Sequence, residues 1–479
     1  MITIGIDIGT TTISGAVLDL PSGSAADKTG TGSAGSAARL LHAENIPNDS
    51  FLPPDIPDAR IQDAEKILML GRGLLERLLA FCEKVLSEPP AAIGLTGQMH
   101  GIVYADHAGR PLCPLYTWQD LRGESVRELI LDKTGISVPA GYGLATHYYN
   151  VIHDTVPAGA VSFCTIMDLF GMHLTGNSRP LMHMTNAASL GFFHTGRQEF
   201  MKKALETLFS GSDDSGSGHL IPEFAEDIRA IGTFRGIPVT CAIGDNQAGV
   251  LASVGTAPGI PLVNFGTGGQ VSLLTDRCSD LPGIETRPFL PGLYLMAGSS
   301  LCGGRAYAIL EQFFRSYAAD AGAPDEPQYT LMNTLAEKAL QREAAGLETR
   351  GQGADESLSV SPLFCGTRVD PSIRGSVTGI SENNFTPGAL ILGTLRGMAD
   401  ELYGYYSEMA SLFPDRVRPD RIVGSGNGLR KNPVLQKLVA ERFDAPLELS
   451  PFEEEAACGA AISGAMGIFD QRNGVIYTG

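Results

Sequence analysis

A threonine-rich turn near the N-terminus combines the residue types that bind phosphate. Gly9 is followed by Thr10, Thr11 and Thr12, and Asp7 lies just before the turn. A glycine lets the backbone approach an anion, and successive N–H groups with three hydroxyls can donate to phosphate oxygens. A carboxylate beside phosphate needs a cation between them, and Mg²⁺ is the usual bridge. The pattern indicates either a phosphate site with Asp7 as metal ligand or an ordinary β-hairpin with a polar turn.

A second Gly/Thr turn occurs in the other half of the chain. Gly266 and Thr267 open it, and two further glycines close it before the apolar run resumes. Two facing hairpins can donate to both sides of a triphosphate, which makes phosphate binding the leading interpretation. Neither turn fits G-x-x-x-x-G-K-[ST], and no G-x-G-x-x-G follows the first strand, so P-loop and Rossmann sites are disfavoured.

A third glycine cluster lies between an expected strand and the expected helix 433–443. Its candidates for contact with a flat base or ribose are Gly424, Ser425, Gly426, Asn427 and Asn432. The alternative is a simple strand-to-helix turn. The small-residue helix that begins at Glu455 predicts close helix packing better than it predicts a binding site.

Asp245 is the best candidate for a catalytic base. It follows an apolar run in AIGDNQAG, so its carboxylate is expected to project from a strand end, with Asn246 beside it. There it could accept a proton from a sugar hydroxyl while that oxygen attacks phosphorus. Asp is also a good helix N-cap, and that alternative stays open.

Two short motifs are suited to a polyhydroxylated ligand. GQMHG carries Gln98 and His100, and YTWQD carries Trp118, Gln119 and Asp120. Amide, imidazole and carboxylate groups can bind sugar hydroxyls, while an indole can cover the apolar face of the ring. Their grouping favours a sugar pocket over isolated core residues.

The elements that must position these groups alternate between strands and helices. A strand, a turn and a strand are expected at the N-terminus, a helix from Asp63 to Leu86, and a strand from Ala92 to Thr96. This order predicts an α/β fold. Because 263–274 repeats the pattern of 4–17, we expect two related domains, 1–247 and 248–479, with a hinge at 248–261. Residues 22–39 have the composition of a flexible tether, and 320–328 and 351–353 that of surface insertions.

Composition excludes several classes of protein. The chain has 479 residues and a formal net charge of −18, with 43% hydrophobic residues. Such a chain can bury a large core, and its charge opposes broad binding to nucleic acid or anionic lipid. No long apolar run or basic leader is present, and the eight cysteines form no C-x-x-C pair. We expect a cytoplasmic protein with reduced thiols, no membrane or nucleic-acid partner, and a monomeric or homodimeric state.

Taken together, the motifs resemble the FGGY carbohydrate kinases, which have the actin, hexokinase and Hsp70-like fold of two ribonuclease-H-like domains around an active-site cleft. The resemblance spans almost the whole chain, from Gly5 to about Gly467. IDIGTTTISGAV is similar to the first phosphate hairpin of the family and FGTGGQVSL to the second. GSGNGLRKNPVLQKLVAERF is similar to the adenosine element, and AIGDNQAG to the motif of the catalytic aspartate. Within the family, LTGQMHG, YTWQDLRG and GYGLATHYY look most like sedoheptulokinases.

The resemblance implies roles for individual residues. Asp245 would be the general base, and Asp7 would hold Mg²⁺ through water. The phosphates would be surrounded by Gly9, Thr10, Thr11, Thr12, Gly266 and Thr267, and adenosine by Gly424, Ser425, Gly426, Asn427 and Asn432. The ketose site would be lined by Gln98, Met99, His100, Trp118, Asp120, Asp245 and Asn246. The chain departs from the family pattern at Gln119, Leu121 and Gly269.

The resulting expectation is an ATP-dependent kinase that phosphorylates the terminal hydroxyl of a ketose, sedoheptulose first. One alternative is a kinase of the same family that acts on xylulose, ribulose or a polyol. An alternative of another class is a nucleotide-dependent switch of the actin or Hsp70 type, because phosphate hairpins belong to the fold rather than to sugar chemistry.

Overall fold

The computed structural model describes residues 1–21, 38–210, 220–345, 358–367, 370–413 and 418–473. Most of the expected tether at 22–39 and the expected insertion at 351–353 lie outside the described residues. The described chain divides into two compact units by its contacts. The first contains Met1–Ala257, Arg287–Tyr294 and the stretch from Glu454 onward, and the second contains Pro258–Thr286 and Leu295–Glu453.

The first unit is built on a mixed seven-stranded sheet. Six strands follow one another in the spatial order β13-β14-β5-β1-β2-β3, and β15 pairs with β5 beyond the end of β14. β1 and β2 form an antiparallel hairpin, whereas β5 runs parallel to β1. The strands of the sheet are β1 (Ile2–Ile8), β2 (Thr12–Asp19), β3 (Arg39–Pro47), β5 (Ala92–Gly97), β13 (Ala230–Phe234), β14 (Ile237–Thr240) and β15 (Ile243–Gly244).

Short two-stranded ribbons complete the β-structure of this unit. β4 pairs with β7, β6 with β8, β9 with β12, and β10 with β11. They are β4 (Ile61–Gln62), β6 (Val103–Ala105), β7 (Leu115–Tyr116), β8 (Ser162–Cys164), β9 (Leu181–His183), β10 (Phe193–His194), β11 (Glu199–Phe200) and β12 (Glu223–Ala225).

Helices pack on this sheet and on the ribbons. The helices of the unit are α1 (Ala64–Phe81), α2 (Arg127–Thr134), α3 (Gly143–Ile152), α4 (Ile166–Thr175), α5 (Met184–Ser189), α6 (Lys202–Phe209), α7 (Asp245–Val254) and α13 (Glu455–Asn473). A π-helical turn, Cys82–Leu86, extends α1, and a 3₁₀ turn, Arg122–Val126, precedes α2.

The central strand β1 is buried along almost its whole length, which explains its run of isoleucines. Ile2, Ile4, Ile6 and Ile8 all lie in the core. Helix α13 packs against the backbone of the sheet, because a Cβ added at Gly5 would overlap the carbonyl oxygen of Ala457. The small residues of α13 therefore serve close packing, as the sequence predicts.

The second unit contains most of a six-stranded sheet of related construction, of which residues 287–294 are grouped with the first unit. Its spatial order is β18-β19-β17-β16-β22-β23, and a separate ribbon pairs β20 with β21. The strands are β16 (Leu262–Phe265), β17 (Gly269–Thr275), β18 (Ile284–Leu290), β19 (Leu293–Ser300), β20 (Ser359–Ser361), β21 (Ser376–Thr378), β22 (Ile422–Ser425) and β23 (Leu447–Leu449). The helices are α8 (Gly303–Asp320), α9 (Tyr329–Ala344), α10 (Pro387–Ala410), α11 (Asn427–Arg430) and α12 (Pro433–Phe443).

The two sheets repeat one arrangement, as the sequence predicts. The hairpin β16–β17 has β22 parallel to β16, just as the hairpin β1–β2 has β5 parallel to β1. In both cases the Gly/Thr turn joins the two antiparallel strands. The predicted α/β fold with two related units is therefore confirmed.

Three expectations about boundaries differ from the structure. Grouped by contacts, the stretch from Glu454 falls in the first unit, whereas the expected bounds count it with 248–479, because α13 packs on the sheet of the first unit. The expected hinge at 248–261 is wrong for its first half, where Ala248–Val254 continues helix α7. The expected strand Thr240–Ile243 is interrupted, since β14 ends at Thr240 and β15 begins at Ile243.

All eight cysteines lie among the described residues, and each is a free thiol. In the described part of the chain, no helix is both long and apolar enough to cross a membrane. The stretch 321–328, exposed up to residue 327, connects α8 to α9, in agreement with the expected surface segment at 320–328.

Candidate functional site

Three parallel strands of the first unit bring their carboxyl ends to one edge of the sheet. In the register of the sheet, Asp7 of β1 lies opposite Thr96 of β5, which in turn lies opposite Ile243 of β15. The Thr96 hydroxyl donates to the Ile243 carbonyl at 2.8 Å, which ties the ends of β5 and β15 together. Asp245 follows β15 directly. The carboxyl ends of neighbouring parallel strands are where ligands bind in α/β sheets, and Asp7 and Asp245 both lie at this edge.

The carboxyl group of Asp7 is held in an environment that disfavours its negative charge. Burial raises its pKa to about 8, and the negative charges of Asp245 and Glu454 add to the effect. Its Oδ1 atom is buried and has no hydrogen-bond partner among the described residues. A cation beside Asp7 would supply the missing partner and offset the repulsion, so the donor set fits Mg²⁺.

Glu454 is a member of this acidic group that the sequence did not reveal. It lies just before α13, and its Oε1 accepts a hydrogen bond from Asn45 Nδ2 at 2.6 Å. Within the residues that the structure describes, no three His, Cys, Asp or Glu side chains are grouped closely enough to hold a metal by themselves. A cation here would need water or ligand oxygens as well, which is how Mg²⁺ is usually held.

Asp245 occupies the first turn of α7 and is not its N-cap. Gly244 is the capping residue, and the Asn246 N–H donates to Asp245 Oδ1 at 2.6 Å. Burial raises the pKa of Asp245, while the hydrogen bonds from Asn246 and the charge of Arg287 act in the opposite direction. A carboxylate with a raised pKa is a stronger base, as proton abstraction from a hydroxyl requires. The sequence motifs did not point to Arg287, because it lies in β18 and is distant in sequence from Asp245.

The turn at 9–12 directs its backbone carbonyls toward the protein. Asn48 Nδ2 donates to Gly9 O, Gln62 Nε2 donates to Thr10 O, and Asn48 N donates to Thr11 O, at 2.8 to 2.9 Å. In a trans peptide the following N–H points opposite to the carbonyl, so the N–H groups of residues 10–12 point away from these two donors. Thr11 and Thr12 are exposed. This orientation suits anion binding by the backbone.

His100 has an unusual backbone conformation, and its ring is held by two neighbouring residues. Its φ of 72° lies in the left-handed region, which is uncommon for a residue with a side chain. The ring stacks on Tyr142 with centroids 4.3 Å apart, and Nδ1 lies 2.9 Å from the Ser189 carbonyl. A carbonyl only accepts, so Nδ1 carries a proton and donates to Ser189.

Gln98 and Trp118 meet at the turn 9–12. Trp118 Nε1 donates to Thr10 Oγ1 at 3.1 Å, and Thr10 Oγ1 donates to Gln98 Oε1 at 3.3 Å. Trp118 is 46% exposed, so much of its ring remains available to a ligand, whereas Gln98 is only 3% exposed. Met99 is buried, and a Cβ at Gly244 would lie 2.6 Å from its Sδ. Met99 therefore supports the strand end before Asp245.

Asp120 is fully engaged with protein groups. It is 0% exposed, and its oxygens accept from Arg122 Nε at 2.7 Å and from Arg60 N at 3.0 Å. Asp55 binds Arg122 as well, and the Arg122 guanidinium lies 4.1 Å from the Tyr116 ring centroid. Asp120 is therefore buried beneath the surface, where its hydrogen bonds stabilise the loop that carries Trp118. The neighbouring departures Gln119 and Leu121 are both exposed.

In the second unit, the turn at 266–269 lies against the start of α8. Gly304 N donates to Gly266 O at 3.0 Å, and Arg305 N donates to Thr267 O at 2.9 Å. A Cβ at Gly303 would overlap the backbone of Gly268. Gly266 and Thr267 themselves are exposed. The paired glycines that begin α8 could have predicted this contact from the sequence, because glycines allow backbones to approach closely.

The glycine cluster at 424–428 lies at the same sheet edge as this turn. Asn264 of β16 is in register with Ser425 of β22, and its Nδ2 donates to Ser425 Oγ at 2.6 Å. Gly426 has a φ of 82°, and a Cβ there would lie 2.6 Å from Phe265 O. This glycine is therefore required by packing on β16. Gly424 is buried, whereas Asn427 toward the other end of the cluster is exposed.

Two asparagines expected at the nucleotide differ in availability. Asn427 begins α11 and is exposed. Asn432 is buried and caps α12, with Oδ1 accepting from Leu435 N at 3.0 Å. The side chain of Asn432 also forms a hydrogen bond with Tyr307. The side chain of Asn432 therefore stabilises the start of α12. Asn427 is better placed than Asn432 to contact a ligand.

Comparison with known proteins connects this geometry to a family. Residues 2–252 match the N-terminal domain of the FGGY family of carbohydrate kinases, and residues 262–468 match its C-terminal domain. The chain belongs to the FGGY family. It is therefore an enzyme that transfers phosphate to a sugar, and its family implies ATP as the second substrate. Membership disfavours the nucleotide-dependent switch.

Individual members of the family differ in how similar their sequences are to this chain. The FGGY chain is 29% identical to the sedoheptulokinase of Homo sapiens over 96% of both chains, and equally similar to that of Mus musculus. A glycerol kinase of Nitrosomonas eutropha is 24% identical over 78% of this chain and 74% of its own.

Solved structures of the family share the fold. The xylulose kinase of Rhodospirillum rubrum superposes with a TM-score of 0.76 at 22% identity, covering 100% of this chain and 91% of that one. Plasmodium falciparum glycerol kinase with ADP gives 0.72 at 17% identity, covering 98% and 90%. These similarities confirm the expected architecture of two ribonuclease-H-like α/β domains.

Proposed function

We propose that this FGGY kinase phosphorylates the terminal primary hydroxyl of sedoheptulose, giving sedoheptulose 7-phosphate and ADP. The similarity to two sedoheptulokinases over 96% of the chain supports this substrate above the other ketoses. The observation that carries the chemistry is Asp245 at the same strand-end edge as Asp7. A base beside a phosphate-binding turn is what transfer to a hydroxyl requires.

The residues of the first unit would act on the sugar. Asp245 would accept the proton of the attacking hydroxyl, and Asn246 would orient its carboxylate. His100 would form a hydrogen bond with another hydroxyl, and the exposed face of Trp118 would cover the carbon skeleton. Exclusion of water by these groups would favour transfer to the sugar over hydrolysis of ATP.

The nucleotide would be bound by backbone groups. The N–H groups of residues 10–12 in the first unit, and the exposed turn Gly266–Thr267 in the second, would donate to phosphate oxygens. Asn427, at the exposed end of the 424–428 cluster, would contact adenosine. Asp7 would hold Mg²⁺ through water. When bound, Mg²⁺ supplies positive charge that offsets the charge of the phosphates.

The test is ADP release by the purified protein with ATP and Mg²⁺. The sugars compared are sedoheptulose, D-xylulose, D-ribulose, L-ribulose and glycerol, with a blank that lacks sugar. A rate far above the blank for sedoheptulose is the expected result, and the product should carry phosphate on the terminal carbon by phosphorus NMR. A higher kcat/KM for another sugar would overturn the substrate and retain the reaction.

A further inference from the structure

Gln62 is a buried polar residue that belongs to none of the sequence motifs. It ends the short strand β4 and is 0% exposed. Its Nε2 donates to the Thr10 carbonyl at 2.8 Å, and its Oε1 accepts from Gln98 Nε2 at 2.9 Å. One side chain thus contacts both the phosphate turn and the sugar motif GQMHG.

The directions of these hydrogen bonds are fixed by their chemistry. The Thr10 carbonyl can only accept, so Gln62 must present its NH₂ to Thr10 and its oxygen to Gln98. Gln98 must then present its NH₂ to Gln62, which turns its own oxygen toward the Thr10 hydroxyl. The bonds form a closed circuit from Thr10 Oγ1 through Gln98 and Gln62 back to the Thr10 carbonyl.

Trp118 joins the circuit at the Thr10 hydroxyl. Its Nε1 donates to Thr10 Oγ1, whose own proton is directed to Gln98. Two consequences follow for ligand binding. The Thr10 hydroxyl proton is not directed at phosphate, so Thr10 meets an anion through its backbone N–H. The Trp118 N–H is also engaged, so this indole meets a sugar through its ring face.

We propose that Gln62 is a positioning residue that couples the sugar side of the site to the phosphate turn. The inference rests on the proposed function, because it gives Gln62 a role within that same site. A sugar that shifts Trp118 or Gln98 moves the hydroxyl of Thr10, and Gln62 holds the backbone of the same residue. Occupancy of the sugar side therefore adjusts the turn that binds phosphate.

The first test replaces Gln62 by Met, which keeps the length and removes both hydrogen bonds. We expect KM for sugar and KM for ATP both to rise, with kcat falling roughly tenfold to a hundredfold, the scale of a small misplacement at a reacting site. If Gln62 only stabilised the fold, Gln62→Met would lower the fraction of active protein and leave both KM values unchanged. Asn150→Leu is the matched control, because Asn150 is a buried amide in a separate network with Tyr104. Values of both KM within twofold of the wild type in Gln62→Met would overturn the proposal.

The second test uses Thr10→Val, which removes a partly exposed hydroxyl and so spares the core. If Thr10 bound phosphate through its hydroxyl, KM for ATP alone would rise. The circuit predicts that KM for sugar rises as well, because Gln98 and Trp118 both lose their shared partner. A change confined to ATP would contradict the proposal.

A third measurement is independent of turnover. Trp118 is the single tryptophan of the chain, so the tryptophan fluorescence, excited selectively over tyrosine, reports this site alone. We expect ADP with Mg²⁺ to change the emission of the wild type without sugar, and to change it much less in Gln62→Met that still binds ADP by calorimetry. If no sugar stimulates the wild type, the proposed function fails, while this response still decides the coupling. An equal response in both proteins would refute it.

Discussion

Gly94 in β5 faces the carbonyl oxygen of Ala460 in α13 so closely that an added Cβ would overlap that oxygen. The obstacle is backbone on both sides, and it cannot move aside like the end of a flexible side chain. Gly5 meets Ala457 in the same way, and Gly459 meets Ala248. Gly94 and Gly5 therefore allow α13 to lie directly on the sheet that carries Asp7, and Gly459 allows α13 to lie against α7.

Gly94→Ala should lower the free energy of unfolding by about 3 kcal/mol or more, the upper range for overpacking in a core. Urea unfolding of the purified variant measures this loss. Gly73→Ala is the matched control, because the added Cβ would meet only the flexible end of Arg77 at 3.8 Å. In the interior of α1 this control should stabilise by up to about 1 kcal/mol. Equal midpoints for the two variants would show that α13 can shift at no cost.

The sequence could predict the hairpins, the helix that begins at Glu455 and the strand-end position of Asp245. Those elements depend on local patterns, such as alternating isoleucines and glycine turns. It could not predict that α13 returns to the first unit, because small residues indicate close packing without naming the partner. For the same reason Gln62, Asn48 and Glu454 escaped notice. Each is remote in sequence from the groups it contacts, and none lies in a motif.

The roles expected of Asp120 and Asn432 show another limit of sequence reasoning. Both residue types can bind a ligand, and both can satisfy neighbouring protein groups. The structure shows Asp120 bound to Arg122 and Asn432 capping α12. Only the arrangement of the neighbours distinguishes the two uses, and those neighbours are not visible in a motif.

Asp245→Asn should lower kcat by roughly a hundredfold or more, the scale expected for loss of a general base. Asparagine keeps an oxygen for the Asn246 N–H, and it removes a negative charge near Asp7. The free energy of unfolding should therefore not decrease, and calorimetry should show that ATP and sugar still bind. Steady-state kinetics beside thermal unfolding measures the contrast. Near-normal turnover would show that another group takes the proton.

Asp7→Asn should raise the Mg²⁺ concentration needed for half-maximal activity by about ten- to a hundredfold, as for groups that hold a metal indirectly. Loss of the repulsion among Asp7, Asp245 and Glu454 should at the same time leave the unfolding temperature equal to or above that of the wild type. A Mg²⁺ titration at saturating ATP and sugar provides the measurement. Asp19→Asn, on the neighbouring strand β2, is the control. An unchanged Mg²⁺ titration in Asp7→Asn would remove its role.

Gly303→Ala should disturb the second turn, because the added Cβ would overlap the backbone of Gly268. We expect KM for ATP to rise by about tenfold or more, while KM for sugar stays near that of the wild type. Gly269→Ser is the control from the same turn, since its Cβ would meet nothing nearer than Leu402 at 3.4 Å. If Gly269→Ser impairs ATP binding as strongly as Gly303→Ala, the turn does not owe its shape to α8.

Asp168 gives the fold a pH dependence that is separate from the site chemistry. Burial raises the pKa of its carboxyl group from 3.8 to about 7, although hydrogen bonds from Thr165 and Asn186 act in the opposite direction. Between about pH 4 and pH 7 the folded protein therefore binds more protons at this site than the unfolded chain does. Stability from this group is fully present below the unfolded pKa and is lost as the pH rises through the folded pKa.

Asp168→Asn should remove that component, because the amide stays neutral and its oxygen can still accept from the Thr165 hydroxyl. Urea midpoints at pH 5, 6 and 7.5 should decline with pH more steeply in the wild type than in Asp168→Asn, and the variant should be the more stable protein at pH 7.5. Asp132→Asn, an exposed position on α2, controls for the loss of a surface charge. Parallel pH profiles for wild type and Asp168→Asn would mean that the carboxyl group is ionised in the fold, with its charge stabilised by Thr165 and Asn186 in spite of burial.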